Sequence, residues 1–171
     1  MVSFSQKEGW FLKPQLKRLQ DLQTELFRQL QLLIPDEISL FDSFQSRVSG
    51  SPLLRMDILE RHPYTHFLRL TYQFKEGEQH EIAPDAHIRV YNDARLAEVT
   101  SFNPEQGFNR MAHPGYPQHH LFQRSWRKNQ ALDKWLGYLL HQGHSLTSMQ
   151  PASDKITGKQ PVPVKHPAHS A

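Results

Sequence analysis

The residues from Arg110 to Asn129, RMAHPGYPQHHLFQRSWRKN, combine cationic, imidazole and aromatic side chains and contain no acid. Guanidinium groups bind phosphates and carboxylates through two parallel hydrogen bonds, and aromatic rings stack on nucleobases. Between positions 106 and 132 the cations are Arg110, Arg124, Arg127 and Lys128, although the whole chain carries a net charge of only +3. This concentration of positive charge predicts an anion-facing loop for a nucleotide, a nucleic acid or an acidic protein partner. The alternative is a loop that is anchored by its aromatic rings while its cations are solvated.

The histidines of the same region form no recognisable metal-binding signature. The candidates are His113, His119, His120, His141 and His144. Zinc sites need three or four ligands at spacings that a scaffold fixes, together with carboxylates or carbonyls that orient the imidazoles. The spacing matches no such pattern, and the chain has no cysteine. We therefore expect neither a metal site nor a cofactor.

No arrangement typical of a catalytic centre appears in the sequence. There is no Gly-x-Ser-x-Gly elbow and no glycine-rich phosphate loop. Asp93 and Glu98 are separated by a predicted hairpin turn, so they need not face each other. Asp93 is interpreted as a turn former and Glu98 as the ion-pair partner of Arg89. No catalytic residue is predicted, and an enzyme acting on a phosphorylated or nucleotide substrate remains the alternative to a binding or regulatory protein.

Leucines at steps of three and four predict an amphipathic helix between two prolines. Pro14 suits the first turn of this helix, and Pro35 ends it. The apolar stripe consists of Leu16, Leu19, Leu22, Leu26, Leu30 and Leu33. Because amphipathic helices bury one face, we expect this helix to pack on a sheet. A dimerising helix pair is the alternative.

Alternation of apolar and polar residues predicts four or five antiparallel strands. The segments SPLLRMDILE and THFLRLTYQF each place their large apolar residues on one face, and RHPY between them supplies a hairpin turn. HIRVY and RLAEVTSF flank Asn92 and Asp93, which tolerate the backbone of a tight turn. DSFQSRVSG is a further candidate strand, ended by Gly50.

A second helix and a tail complete the predicted organisation. Prolines and glycines interrupt the chain up to Pro117, and a helical pattern returns from Trp126 to about His141, with Ser125 as N-cap and Gly143 as the stop. Residues 147–171 are rich in proline and poor in large apolar residues, which predicts a disordered tail. The prediction is one α+β domain, residues 1–146, whose antiparallel sheet is covered on one face by the N-terminal and C-terminal helices.

Three segments carry a resemblance to a known family. IRVYNDARLAEV, then YPQHHLFQR, and then the helix WLGYLL ending at Gly143 resemble the YqiB-like family of uncharacterised bacterial proteins, over roughly residues 12–145. The resemblance implies a small cytosolic bacterial protein with no established activity, whose relatives are often encoded near nucleotide-hydrolysing enzymes. The candidate ligand-binding residues are Arg89, Tyr91, Asp93, Glu98, Arg110, Tyr116, Gln123 and Arg124.

The expected compartment follows from three further features. The first residues lack a charged-then-apolar signal pattern, and no run approaches the roughly 18 apolar residues of a membrane helix. The absence of cysteine fits a reducing compartment. We expect a cytoplasmic protein whose partner is an anionic ligand or an acidic protein, and the sequence leaves the oligomeric state open.

Overall fold

The computed structural model of the chain describes residues 4–74, 84–103 and 117–152, and within these ranges it leaves out the side chains of residues 4–12 and 117–120. Two long helices are present there, α1 (Phe4–Gln31) and α2 (Pro117–His141), and a short 3-10 helix (Asp36–Ser39) follows α1. The strands of the described residues are β1 (Ser43–Ser46), β2 (Leu53–Arg61), β3 (Thr65–Gln73), β4 (Asp85–Tyr91), β5 (Leu96–Asn103) and β6 (Met149–Pro151).

The strands form one antiparallel sheet in the order β5-β4-β3-β2-β1-β6. The predicted α+β class is confirmed, and the described sheet has one strand more than the four to five expected. Both predicted hairpins are present, β2–β3 and β4–β5. The second turns through residues 92–95, where Arg95 adopts φ 53°.

One face of the sheet carries the core, because alternate residues of each strand point the same way. Trp135 of α2 shows how the helices cover this face: its ring makes edge contacts with Tyr72 and Phe102, with centroids 5.8 Å apart in both cases. The opposite face holds the intervening, largely polar residues, an arrangement that antiparallel sheets permit.

The first helix is longer than the sequence pattern predicted. It begins at Phe4, so Pro14 lies inside it rather than in its first turn. Burial follows the predicted stripe only in the second half, where Leu26, Leu30 and Leu33 are fully buried, whereas Leu16 is 54% exposed. The first half of α1 therefore extends beyond the part of the helix that the core covers.

The second helix also begins earlier than predicted. It starts at Pro117, whose fixed φ and missing N–H suit a first helical turn. Ser125 is therefore not an N-cap; its carbonyl accepts a hydrogen bond from Asn129 Nδ2 at 2.8 Å inside the helix. The predicted stop is correct, since Gly143 has φ 99° and the His144 N–H reaches back to the Leu139 carbonyl.

The folded domain extends beyond the predicted boundary at residue 146. Strand β6 pairs with β1, Met149 is only 4% exposed, and the Ala152 N–H donates to the Ser43 carbonyl at 2.9 Å. Residues 147–152 thus belong to the folded domain rather than to the tail, because buried Met149 and the pairing of β6 with β1 hold them in place. The remainder of the predicted tail, residues 153–171, lies outside the described residues.

Candidate binding site

The β4–β5 hairpin brings three of the predicted ligand-binding residues together on the face of the sheet that the helices leave open. Arg89 and Glu98 are register partners, and Tyr91 donates its hydroxyl hydrogen to Glu98 Oε1 at 2.7 Å. The Arg89 guanidinium lies over the Phe67 ring, 5.5 Å from its centroid. Arg89 and Glu98 are thus neighbours across the hairpin, but the described residues show no ion pair between them. The Glu98 carboxylate accepts a hydrogen bond from Tyr91 instead.

The same contacts shift the acid–base behaviour of this cluster. A hydrogen bond with Tyr91 raises the pKa of Arg89, so this guanidinium stays charged at any accessible pH. Burial raises the pKa of the Tyr91 hydroxyl, and its hydrogen bond to Glu98 adds to the effect. Tyr91 therefore remains a neutral hydrogen-bond donor at physiological pH.

Cations elsewhere on the open face also have acidic neighbours. Arg69 Nε donates to Asp85 Oδ1 at 2.8 Å, and this contact lowers the pKa of the Asp85 carboxyl. Arg55 Nε donates to Asp57 Oδ1 at the same distance. The open face is therefore already compensated in charge, which makes it a poor attractor for an anion.

Asp93 lies in the turn between β4 and β5 and is exposed. Its position agrees with the interpretation as a turn residue. It lies in the turn at the end of the hairpin, two residues after Tyr91; we call Arg89, Tyr91 and Glu98 the open-face cluster.

Helix α2 covers the outer edge of β5 with two side chains. Asn129 is fully buried, and its Oδ1 accepts from the Val99 N–H at 3.3 Å while its Nδ2 donates to the Ser125 carbonyl. Lys128 Nζ donates to the Thr100 carbonyl at 3.1 Å. Lys128 thus contributes to closing a sheet edge that would otherwise present unpaired backbone groups.

A groove of about 270 Å³ lies between α1 and α2, and we call it the helix groove. Its lining residues are Gln15, Arg18, Phe122, Gln123 and Trp126. The two helices run side by side in the same direction: Gln15 and Arg18 meet the first half of α2, and Gln29 donates to Asp133 Oδ1 at 2.8 Å farther along. The helix groove therefore lies between the earlier parts of α1 and α2. The later parts of the two helices pack into the core.

The helix groove combines stacked rings with polar side chains that have no partner in the described part of the chain. The Phe122 and Trp126 rings are nearly parallel, 15° apart, with centroids 6.3 Å apart. Gln15 Oε1 is buried and has no hydrogen-bond partner among the residues that the structure describes. Among the described residues, the Arg18 guanidinium makes no side-chain hydrogen bond or ion pair. A buried acceptor without a partner costs free energy, so a ligand that satisfies it would be favoured.

The parts of α1 and α2 that form the helix groove are rich in cations, of which Arg18 lines the groove itself. Lys13, Lys17 and Arg18 lie in the exposed half of α1, and Arg124, Arg127 and Lys128 lie in the facing half of α2. Asp21, which forms an ion pair with Lys17 at 3.1 Å, is the single acid within residues 13–21 and 121–128. Since the whole chain carries only +3, the remaining residues together are net negative. The structure thus joins two cationic segments that are about 100 residues apart in the sequence.

The structure divides the sequence-predicted site into separate places. Gln123 lines the helix groove. Arg124 is exposed, and at about 100° per residue it points roughly 160° away from Trp126 around α2. Arg89, Tyr91 and Glu98 lie on the opposite side of the sheet from α2, so they do not share a surface with Gln123. Arg110 and Tyr116 lie outside the described residues.

Gln15 and Arg18 were missed by sequence reasoning. Both fall on the polar side of a helix whose apolar stripe suggested simple packing on a sheet. Only the pairing of α1 with α2 reveals them, and no local pattern signals that pairing.

The histidines show no grouping for a metal in the part of the chain that is described. There, no cluster of three or more His, Asp or Glu could hold an ion. His144 is fully buried, with its Nδ1 at 2.8 Å from Ser46 Oγ and its Nε2 at 3.4 Å from the Tyr72 hydroxyl. His141 is exposed, while His113 and the side chains of His119 and His120 lie outside the described residues.

Ser46 and His144 have the residue types of a nucleophile and base but not the access that catalysis needs. Both are fully buried, and Ser46 Oγ also lies 2.6 Å from Ser148 Oγ. Burial lowers the pKa of His144, which keeps its imidazole neutral. This cluster connects β1, β3 and the segment after α2, and its role is structural.

Comparison with known proteins identifies the family. A family described as "Protein of unknown function (DUF1249)" matches residues 29–145. The chain belongs to this family. It is 30% identical over 132 residues to the uncharacterized protein YqiB of Escherichia coli K12, a match that covers 76% of this chain and 89% of the relative. YqiB of E. coli O6:H1 and of E. coli O157:H7 match to the same extent. No solved structure matches the chain.

The resemblance to the YqiB-like family is therefore confirmed. The DUF1249 match contains the open-face cluster and the α2 side of the helix groove, whereas Gln15 and Arg18 precede it. Within the described residues, neither helix is apolar enough over a sufficient length to cross a membrane.

Proposed function

We propose that the protein is a non-enzymatic binding protein whose helix groove takes an anionic ligand carrying an aromatic ring, the chemistry of a nucleotide or a single-stranded nucleic acid. The observation that carries this proposal is the buried Gln15 Oε1, which has no partner among the described residues and lies beside Arg18 and the stacked Phe122 and Trp126 rings. These residues offer a base-stacking platform, amides that can read the edge of a base, and a guanidinium for a phosphate.

Electrostatics supports the choice of an anion. The helix groove lies within a cluster of cations on a chain whose remaining residues are net negative, so the field would steer anions to this end of the molecule. The open face of the sheet is the weaker candidate, because its arginines already have carboxylate neighbours.

The proposal is tested by titrating the protein with adenosine monophosphate and with a labelled short single-stranded oligonucleotide at two salt concentrations. Arg18→Ala should weaken binding by about 1.5–3 kcal/mol if the guanidinium makes a charge-assisted contact with a phosphate. Phe122→Ala should weaken it by about 1–3 kcal/mol through the loss of base stacking.

Lys13→Ala is the matched control, since it removes the same charge from the same helix at a position about 160° away from Gln15. Its effect should be small. A larger loss for Arg124→Ala than for Arg18→Ala would place the ligand on the outer surface of α2 and contradict the groove assignment. Absence of binding by the unmodified protein at low salt would favour an acidic protein as the partner instead.

A further inference from the structure

We propose that a second groove, at the β6 edge of the sheet, docks an extended peptide segment that carries lysine or arginine beside apolar residues. This surface lies at the other edge of the sheet from β5 and has the opposite charge to the helix groove. The inference is therefore independent of the proposed function.

The β6 groove has a volume of about 570 Å³ and combines an apolar lining with two acids. Its lining residues are Asp36, Glu37, Leu40, Phe41, Leu146, Thr147, Met149, Gln150 and Pro151. Leu40 and Leu146 are 45% and 38% exposed, so large apolar side chains face solvent here. Asp36 and Glu37 are exposed as well.

Both walls of the β6 groove are held in place by hydrogen bonds. Arg61 fixes one wall: its guanidinium donates to the carbonyls of Ile38 and Phe41 and, at 2.9 Å, to Asp42 Oδ1. On the other wall, the Leu146 N–H donates to the Leu32 carbonyl at 2.6 Å. A groove whose walls are already ordered loses little conformational entropy when it binds, which favours docking.

The edge of β6 offers acceptors to an incoming chain but no donors. Because the Ala152 N–H bonds to Ser43, the antiparallel ladder turns the carbonyls of Met149 and Pro151 away from β1. The Met149 N–H is taken by the Ser145 carbonyl at 3.1 Å, and Pro151 has no N–H. A full additional strand would leave its own carbonyls without donors, so main-chain pairing alone does not explain recognition here.

These features favour a bound peptide whose side chains donate hydrogen bonds. Two carboxylates and two outward carbonyls accept hydrogen bonds, and the described lining contains no lysine or arginine. A lysine or arginine side chain can lay its apolar stem along Leu40 and Leu146 while its charged end reaches Asp36 or Glu37. An acidic peptide would meet repulsion at the same acids.

The test uses the full chain and fluorescence anisotropy with three labelled peptides, in which valine alternates with lysine, valine with glutamate, and serine with lysine. The lysine–valine peptide should bind, more tightly at low salt, and the other two should bind at least about fivefold more weakly. The double variant Asp36→Asn/Glu37→Gln should bind the lysine–valine peptide about tenfold more weakly. Leu40→Ser should also reduce its affinity severalfold, because the variant removes an apolar wall.

The double variant Asp21→Asn/Asp93→Asn is the matched control, since it changes the net charge equally at sites away from β6. It should leave the affinity unchanged. Equal losses in both double variants, or equal binding of the serine–lysine peptide, would show non-specific electrostatics and overturn the proposal. Lack of peptide binding, or concentration-dependent dimers that disappear in Leu40→Ser, would overturn it in favour of another occupant, a second copy of the chain in the latter case.

Discussion

At the scale of single residues, Asn129 of α2 binds the backbone of edge strand β5, a role that the sequence alone does not indicate. Its amide satisfies the Val99 N–H on one side and the Ser125 carbonyl on the other, inside a fully buried site. Removing the side chain leaves the Val99 N–H without this partner in a buried site, which costs about 1–3 kcal/mol for a buried unsatisfied group. We expect Asn129→Ala to lower the free energy of unfolding in urea by about this amount.

Gln130→Ala provides the comparison, because Gln130 is the exposed neighbour on the same helix. Its effect should stay within about 0.5 kcal/mol, as for ordinary surface substitutions. Equal destabilisation by both variants would contradict a specific contribution of the edge contact, because alanine is the better helix former at both positions.

His144 gives the stability of the protein a dependence on pH. Burial lowers its folded-state pKa below the ordinary value of about 6.5. Between the folded and unfolded pKa values the unfolded chain binds more protons, so stability rises with pH in that interval. The free energy of unfolding should therefore be fully retained above about pH 6.5 and should fall as the pH drops below it towards the folded pKa.

Urea unfolding at a series of pH values tests this expectation. His144→Gln should flatten the dependence below about pH 6.5, whereas His62→Gln, at an exposed position, should retain it. His66, whose pKa is also lowered by burial, contributes in the same direction in both variants. Identical slopes in the two variants would remove His144 as the cause.

At the scale of elements, the spacing of apolar residues predicted the strands and helix segments that face the core. It did not predict the helix starts or the short strand that lie at the margins of the core. Strands β2 to β5 follow the alternation of apolar residues, since one buried face imposes a period of two. The starts of α1 and α2 were predicted about ten residues too late, because proline was interpreted as a boundary when it is tolerated inside α1 and opens α2. Strand β6 was missed because three residues with a single buried side chain produce no period.

Strand β6 also changes the expected effect of truncation. Removing residues 153–171 should leave the free energy of unfolding nearly unchanged, since that segment is rich in proline and poor in large apolar residues. Removing residues 147–171 also removes buried Met149 and the pairing with β1. This longer truncation should cost at least about 1.5–3 kcal/mol. Urea unfolding of the two truncated chains distinguishes the cases, and equal stability would show that β6 contributes nothing.

At the scale of the whole molecule, the fold places two grooves of opposite charge near opposite edges of one sheet. The sequence showed the cationic residues Arg124, Arg127 and Lys128 of α2 but not the cations of α1 that join them, because the pairing of the two helices is a tertiary feature. For the same reason, Gln123 was found while Gln15 and Arg18 were missed. Among the described residues, Arg89, Tyr91 and Glu98 do not share a surface with Gln123, since strand alternation turns those three residues away from α2.

The most direct test of a ligand in the helix groove is the NMR signal of the tryptophan indole N–H groups during titration with adenosine monophosphate. Trp126 lines the groove and Trp135 lies in the core, so the two report on the ligand and on the fold within one experiment. We predict that the Trp126 signal moves in a saturable way, that the Trp135 signal stays in place, and that Phe122→Ala removes the shift. A Trp126 signal that does not move at saturating nucleotide, or a shift that Arg18→Ala and Phe122→Ala leave intact, would contradict the account.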